Sequence, residues 1–377
     1  MTKIIINISN IVMGGAKQVA QSFLHELNGM DENIEFHVFL SEKMKLEIQD
    51  ESFKSNFIFY SIQNKPKPSY FGKKLRIELD HLEAKIAPNL VFSVFGPVYW
   101  RPKSPHIAGF AAGWAINPNS IAYSVLDVKT RIKIKLTNWV KLHYINRKEA
   151  DKYFVETEVV KELFAQHSKT KLDDIFVASN TFGDQYNGIV NPHPVFDTLN
   201  CKDFFKFITI SANYPHKNLI SIKTIVPLLK EKGLKVKFFV TLSTEDYDAN
   251  FSELKDNVIN LGIIKSVDCP AYYKGCDALY LPTLLESFTA SYPEAMKMKV
   301  PILTSDLDFA RNICDEAALY CDTLNPVKIV DAIESLISSE DLRNDLIGKG
   351  IERLKHFDSA SERAKKYLDL ALKFAKK

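Results

Sequence analysis

Apolar residues recur along this chain in two alternating rhythms. Ile4 to Ile8 is a β-rich run, and beyond a short loop Val19, Ala20, Phe23, Leu24 and Leu27 keep the spacing of one helical face. Ile34 to Leu40 reads as a second strand. Leu75, Leu79, Leu82 and Ile86 form another helical stripe, which Pro88 ends before a strand at Leu90 to Phe95. Strand, helix, strand in this order predicts a parallel sheet with helices on both faces, the α/β class. Between Asn180 and Lys202 the periodicity fails in a stretch rich in Asn, Gly and Pro. It resumes with Phe204 to Ile210, a helix from about Asn218, Val236 to Thr241, Asp277 to Leu281, a helix after Pro293, and Val300 to Thr304. The expected organisation is an N-terminal Rossmann-like domain over 1–185, a linker over 186–203 and a second Rossmann-like domain over 204–355. The tail, 356–377, holds a final helix from about Ser359 to Lys376, with Ala364, Tyr367, Leu368, Ala371 and Phe374 on its apolar face.

Composition agrees with two cores: 377 residues at 46% hydrophobic content exceed what one core needs. The net charge of +3 calls for no nucleic acid, so an electrostatic partner must be met by a local patch. Cys201, Cys269, Cys276, Cys314 and Cys321 show no Cys-x-x-Cys spacing, which argues against zinc and for reduced, buried thiols of a cytosolic protein. The N-terminal apolar run is short for a signal peptide, and no segment approaches the roughly 20 apolar residues that span a bilayer. A soluble or peripheral protein is expected.

Candidate chemistry concentrates where strands give way to helices. Glu286 and Glu294 lie just after the run Asp277–Pro282, at a strand-to-helix crossing. In open α/β sheets ligands sit outside the carboxyl ends of the strands, where unpaired N–H groups favour anions. Two carboxylates with backbone donors between them suit a molecule with hydroxyls at two places and phosphates between. Glutamates that open a helix for the sake of its dipole are the plain alternative. Lys217, in Tyr214-Pro215-His216-Lys217-Asn218, stands at another strand-to-helix turn, where a point charge can neutralise a diphosphate. Gly14 and Gly15 occupy the first such turn, but the dinucleotide fingerprint Gly-x-Gly-x-x-Gly is incomplete, which disfavours a nicotinamide cofactor.

The text Pro282-Thr-Leu-Leu-Glu286-Ser-Phe, then Tyr292-Pro-Glu294-Ala-Met, then Val300-Pro-Ile-Leu-Thr-Ser resembles the E-x7-E signature of the family 4 (group 1) retaining glycosyltransferases of the GT-B fold. The resemblance extends to a sub-branch found in O-antigen and capsule synthesis. It implies two doubly wound domains facing a central cleft, with the last helix returning toward the N-terminal domain. It further implies that Glu286 and the backbone of Ser287, Phe288, Thr289 and Ala290 hold the donor sugar, that Glu294 binds the ribose, and that Lys217 stabilises the departing diphosphate. Gly262, Ile263 and Ile264 then cradle the base, Gly14 and Gly15 line the cleft near the diphosphate, and His106 lies beside the reacting carbon. The family's arginine five residues before the lysine is replaced by Ala212, leaving Arg311 and Lys17 to supply a second positive charge.

Three features complete the reading. Phe95 to Trp100 and Pro105 to Trp114 are dense in aromatics and glycine, suited either to stacking on an acceptor sugar or to core packing. Asp127 to Lys152 is basic and carries Ile132, Leu136 and Trp139; it fits a helix or a strand, and as a basic face with Trp beside it would suit an anionic leaflet. Asp306-Leu307-Asp308 matches a metal-binding D-x-D of a different glycosyltransferase fold, but acids after a strand also cap helices. The expectation is therefore a metal- and cofactor-independent retaining hexosyltransferase. It would use a UDP- or GDP-sugar and a saccharide acceptor, lipid-linked, in bacterial surface polysaccharide synthesis at the cytoplasmic face of the inner membrane. The alternatives are a sugar-nucleotide 2-epimerase of the same fold and a non-catalytic sugar-nucleotide-binding partner protein.

Overall fold

The computed structural model describes every residue except 13, 31, 32, 49, 65, 200, 376 and 377. Met13 of the glycine turn, Asn200 of the expected linker and the last two residues of the tail thus lie outside the described residues. The chain forms two compact units, one of residues 1–118, 129–180 and 358–377, the other of 119–128 and 181–357.

The first unit is built on seven parallel strands: β1 (Thr2–Ile8), β2 (Ile34–Ser41), β3 (Phe57–Ile62), β4 (Leu90–Ser93), β5 (His106–Gly109), β6 (Lys152–Val155) and β7 (Ile175–Val177). They pair in the order β3-β2-β1-β4-β5-β6-β7. Continuous apolar runs arise because both faces are covered. Ile4, Ile6 and Ile8 pack with Phe23, Leu24 and Leu27 on one face, while Ile5 meets Leu75, Leu79 and Ile86 on the other. The helix Ala360–Ala375 closes this unit. Its Tyr367 ring lies 4.5 Å from Phe154, 5.3 Å from Phe92 and 5.4 Å from Phe23, and the buried Arg363 guanidinium bonds Asn180 and the Ser22 hydroxyl.

The second unit holds six parallel strands: β8 (Phe205–Thr209), β9 (Val236–Val240), β10 (Val258–Asn260), β11 (Ala278–Leu281), β12 (Ile302–Ser305) and β13 (Leu319–Cys321), ordered β10-β9-β8-β11-β12-β13. Phe207 and Tyr280 face Ile222 and Ile225; Ile208, Leu279 and Leu281 face Tyr292 and Met296. All five cysteines are buried free thiols.

Two boundaries differ from the sequence reading. Residues 119–128, expected in the first domain, belong to the second unit, since Ile121–Tyr123 packs on the turn Pro215–Lys217. The expected linker 186–203 is not a free tether. Tyr186 is buried against Tyr273, ring centroids 6.1 Å apart, and Phe196 lies 5.1 Å from Phe239. Sparse aromatic anchors among turn formers carry no period, so the packing left no rhythm to read. The basic segment resolves as a helix, Val128–Asn146.

Gly109 on β5 marks the tightest approach in the first sheet: a β-carbon there would sit 2.1 Å from the Val94 carbonyl oxygen. A backbone oxygen held between paired strands cannot yield cheaply. Gly109→Ala is expected to lower unfolding free energy by roughly 1–3 kcal/mol or more in urea titration. An unchanged midpoint would show that β4 and β5 are not so closely apposed.

Candidate functional site

The second sheet reverses its winding between two neighbouring strands. From β8 the chain builds outward through β9 and β10, then returns to place β11, β12 and β13 on the other side. The connections that follow β8 and β11 therefore run to opposite sides of the sheet, and the carboxyl ends of these two strands are the usual ligand position in such sheets. Lys217 follows β8 and Glu286 follows β11.

Several contacts join these loops. The Leu284 N–H donates to the His216 carbonyl at 2.7 Å. The Thr283 hydroxyl donates to Glu286 Oε1 at 2.8 Å, and the same oxygen accepts from the Lys217 ammonium. Both charged side chains are largely withdrawn from water, at 15% and 10% exposure, so the pair is held in a medium where charge interactions are strong. Asn218, in the left-handed region at φ 53°, turns the chain into the helix Ser221–Glu231 and donates to the Thr323 carbonyl at 2.9 Å. Ser120, from the segment reassigned to this unit, donates to the Leu284 carbonyl at 3.4 Å. Thr283 and Ser120 were missed by sequence reasoning, because a lone hydroxyl has no spacing to betray it. The imidazole of His216 stacks on Tyr214, centroids 5.7 Å apart at 11°. Burial lowers its pKa; Glu286 pulls upward and Lys217 downward, leaving a neutral ring beside the ion pair.

Glu294 occupies a different environment. It is 8% exposed, and the hydroxyls of Tyr273, at 3.2 Å, and Tyr186 donate to it. Burial raises its pKa to about 7 against these hydrogen bonds. Of the residues between the two glutamates, Phe288 and Thr289 are buried, Phe288 edge-on to Phe357 at 6.0 Å, and Ala290 leads into the helix Ser291–Lys297. Gly262 follows β10, its N–H donating to Asn260 Oδ1 at 3.1 Å, with Ile263 exposed and Ile264 half-buried. Arg311 is committed to Asp306 at 2.5 Å and lies over the Tyr320 ring, so the first acid of the D-x-D has a cation of its own. Asp308 opens the helix Asp308–Cys314.

In the first unit Gly14 precedes the helix Gly15–Asn28 at φ 71°, a conformation that favours glycine, and β-carbons at Gly14 and Gly15 would meet open space. Lys17 pairs with Glu47. His106, expected beside a reacting carbon, sits within the sheet at 2% exposure. Its Nδ1 bonds the Glu149 carbonyl and its Nε2 the Ser93 hydroxyl, both at 2.8 Å, and Ser93 in turn accepts from Asn7 at 3.2 Å. Burial lowers its pKa to about 4. Both ring nitrogens are thus hydrogen-bonded within the first unit. The aromatic segments likewise go mainly to the core: Trp100 is buried and donates to Asp80 at 2.8 Å, and Phe110 stacks on Phe164 at 4.3 Å.

With lysine and glutamate placed across the reversal point, the comparisons with known proteins become decisive for the second unit. Residues 196–353 match the family model for glycosyl transferases group 1. The matched segment lies wholly within the second unit and contains Lys217, Glu286 and Glu294. Solved structures extend the likeness over the whole chain and fix the fold as GT-B. A sucrose-phosphate synthase from Thermosynechococcus elongatus is 13% identical at TM-score 0.76, with 100% of each chain covered. WaaG, a glycosyltransferase involved in lipopolysaccharide biosynthesis, is 12% identical at 0.71, over 98% of this chain and 99% of its own. HepE of Anabaena, solved with UDP-glucose, is 13% identical at 0.69, over 99% and 100%. No curated protein matches the chain by sequence.

The Glu294 carboxyl gives the second unit a pH signature. Because its folded pKa of about 7 lies above the ordinary 4.5, its stabilising effect is full below about pH 4.5 and is lost as pH rises through 7. Glu294→Gln should remove that slope, so that the wild-type minus variant stability difference falls by about 3 kcal/mol between pH 4 and 8. Urea titrations across this range check it, and a pH-independent difference would place the carboxyl in water.

Proposed function

We propose that the protein is a retaining, metal-independent hexosyltransferase. It moves a sugar from a UDP- or GDP-linked donor to a lipid-linked saccharide in bacterial surface polysaccharide synthesis, on the cytoplasmic side of the membrane. The observation that carries this reading is the Lys217–Glu286 pair beyond the carboxyl ends of β8 and β11, inside the segment that matches the glycosyl transferases group 1 model. Binding of UDP-glucose by HepE and the lipopolysaccharide role of WaaG support the donor and acceptor classes.

In this account the donor's diphosphate competes with Glu286 for the Lys217 ammonium, which frees the carboxylate to accept hydroxyls of the donor sugar. The bond between the anomeric carbon and the phosphate oxygen breaks, the acceptor oxygen bonds that carbon from the same face, and its proton passes to the departing phosphate. Lys217 stabilises the charge that develops there, and the backbone of Ser287 to Ala290 orients the sugar. Glu294 takes the ribose hydroxyls and Gly262 to Ile264 the base.

Lys217→Ala and Glu286→Ala should each lower transfer from the cognate nucleotide sugar by at least about 10²-fold while circular dichroism stays native. Near wild-type transfer by either variant would sink these assignments. Donor binding without transfer to any saccharide would instead favour a sugar-nucleotide-binding partner protein, the reading suggested by Ala212.

A further inference from the structure

We propose that the helix Val128–Asn146 lays an outward apolar stripe into an anionic lipid bilayer. Val128, Ile132, Leu136 and Trp139 stand four, four and three residues apart, which places them along one side of the helix. They are 67%, 62%, 61% and 63% exposed. The other side is already used by the fold: Asn138 and Ile145 are buried, and Ile145 packs with Ile116, Tyr153 and Phe164. The helix is thus apolar twice over, once toward the core and once toward water. A contiguous stripe of large apolar side chains left in water marks a docking surface.

Charge identifies what covers it. The helix carries no acidic residue and five cations, Lys129, Arg131, Lys133, Lys135 and Lys141. Helical spacing puts Lys129 and Lys133 along one flank of the stripe and Arg131 and Lys135 along the other. An apolar ridge with tryptophan between basic flanks settles at the boundary of headgroups and acyl chains, and is drawn there by anionic lipid. A second copy of the chain would set five cations against five. Nucleic acid would attract the cations but leave Ile132 and Leu136 without an apolar environment.

A hollow of about 360 Å³ continues the stripe, lined by Trp139, His143, Arg147, His167 and Lys169 among others. Trp139 and His143 stack across 5.5 Å at 26°. Two cations and two imidazoles around an aromatic wall suit the phosphate of a lipid headgroup. This surface is independent of the reaction proposed for the second unit, since a chain that transfers no sugar would still bind vesicles.

Co-sedimentation of the full chain with phosphatidylcholine vesicles, with and without phosphatidylglycerol, tests the proposal. The chain should partition onto the anionic vesicles only, with a blue shift of Trp139 emission read as the difference from Trp139→Phe. Ile132→Ser combined with Leu136→Ser changes only exposed positions and should weaken partition at least tenfold. Lys133→Gln with Lys135→Gln should weaken it and flatten its salt dependence. Equal partition onto neutral vesicles, binding that survives the double serine change, or a vesicle-free dimer abolished by that change would each overturn the proposal.

Discussion

The reversal of winding between β8 and β11 is the constraint on which the second unit turns. In a parallel sheet every strand delivers its carboxyl end to the same edge, and only where consecutive connections leave in opposite directions does that edge open. Lys217 and Glu286 meet there because β8 and β11 are neighbours in space although 69 residues separate the two side chains in sequence. The loop contacts of Thr283, Leu284 and His216 hold the two residues at a fixed separation. Such preorganisation is what a site needs if it is to meet developing charge without rearranging.

The two signature glutamates answer to different physics. Glu286 keeps a cation and a hydroxyl and stays at the mouth of the loops, whereas Glu294 is enclosed by tyrosines and poised near neutrality by burial. Their spacing places both after the same strand, yet one pairs with Lys217 and the other is part of a buried hydrogen-bonded cluster with Tyr186 and Tyr273. Tyr186 comes from the stretch read as a linker, so that stretch helps set the protonation of a signature residue. The first unit shows the opposite economy: its polar chain from Asn7 through Ser93 to His106 lies within the sheet and binds strands together.

Much of the fold was legible because both sheets are covered on both faces, so that β1, β2, β8, β9 and β11 appear as predominantly apolar, β-rich runs broken by few polar residues. Short strands were not. β7 and β13 have three residues each, and β3 is half exposed, too little for a period to form. Lys217 and Glu286 were singled out by a lysine at a strand-to-helix turn and by the E-x7-E resemblance, and the structure brings the two side chains into contact. Thr283, Tyr273 and Ser120 could not, because their importance comes from tertiary neighbours. His106 differs again: a histidine in an aromatic, glycine-rich segment looks chemical from the sequence, and its two hydrogen-bonded nitrogens and burial are visible only in the fold. The weak helical signal of 128–146 has a physical origin too, since two apolar faces cancel each other's asymmetry.

The central claim, that Lys217 and Glu286 form a diphosphate site at the reversal point, is tested most directly by calorimetric titration of UDP and GDP into the wild-type chain and into Lys217→Met. The account predicts saturable binding of one of the two nucleotides to the wild type, weakened at least about tenfold in the variant, as expected for loss of a charge-assisted contact of at least about 1.4 kcal/mol. Equal affinity for wild type and variant, or no binding of either nucleotide, would contradict it.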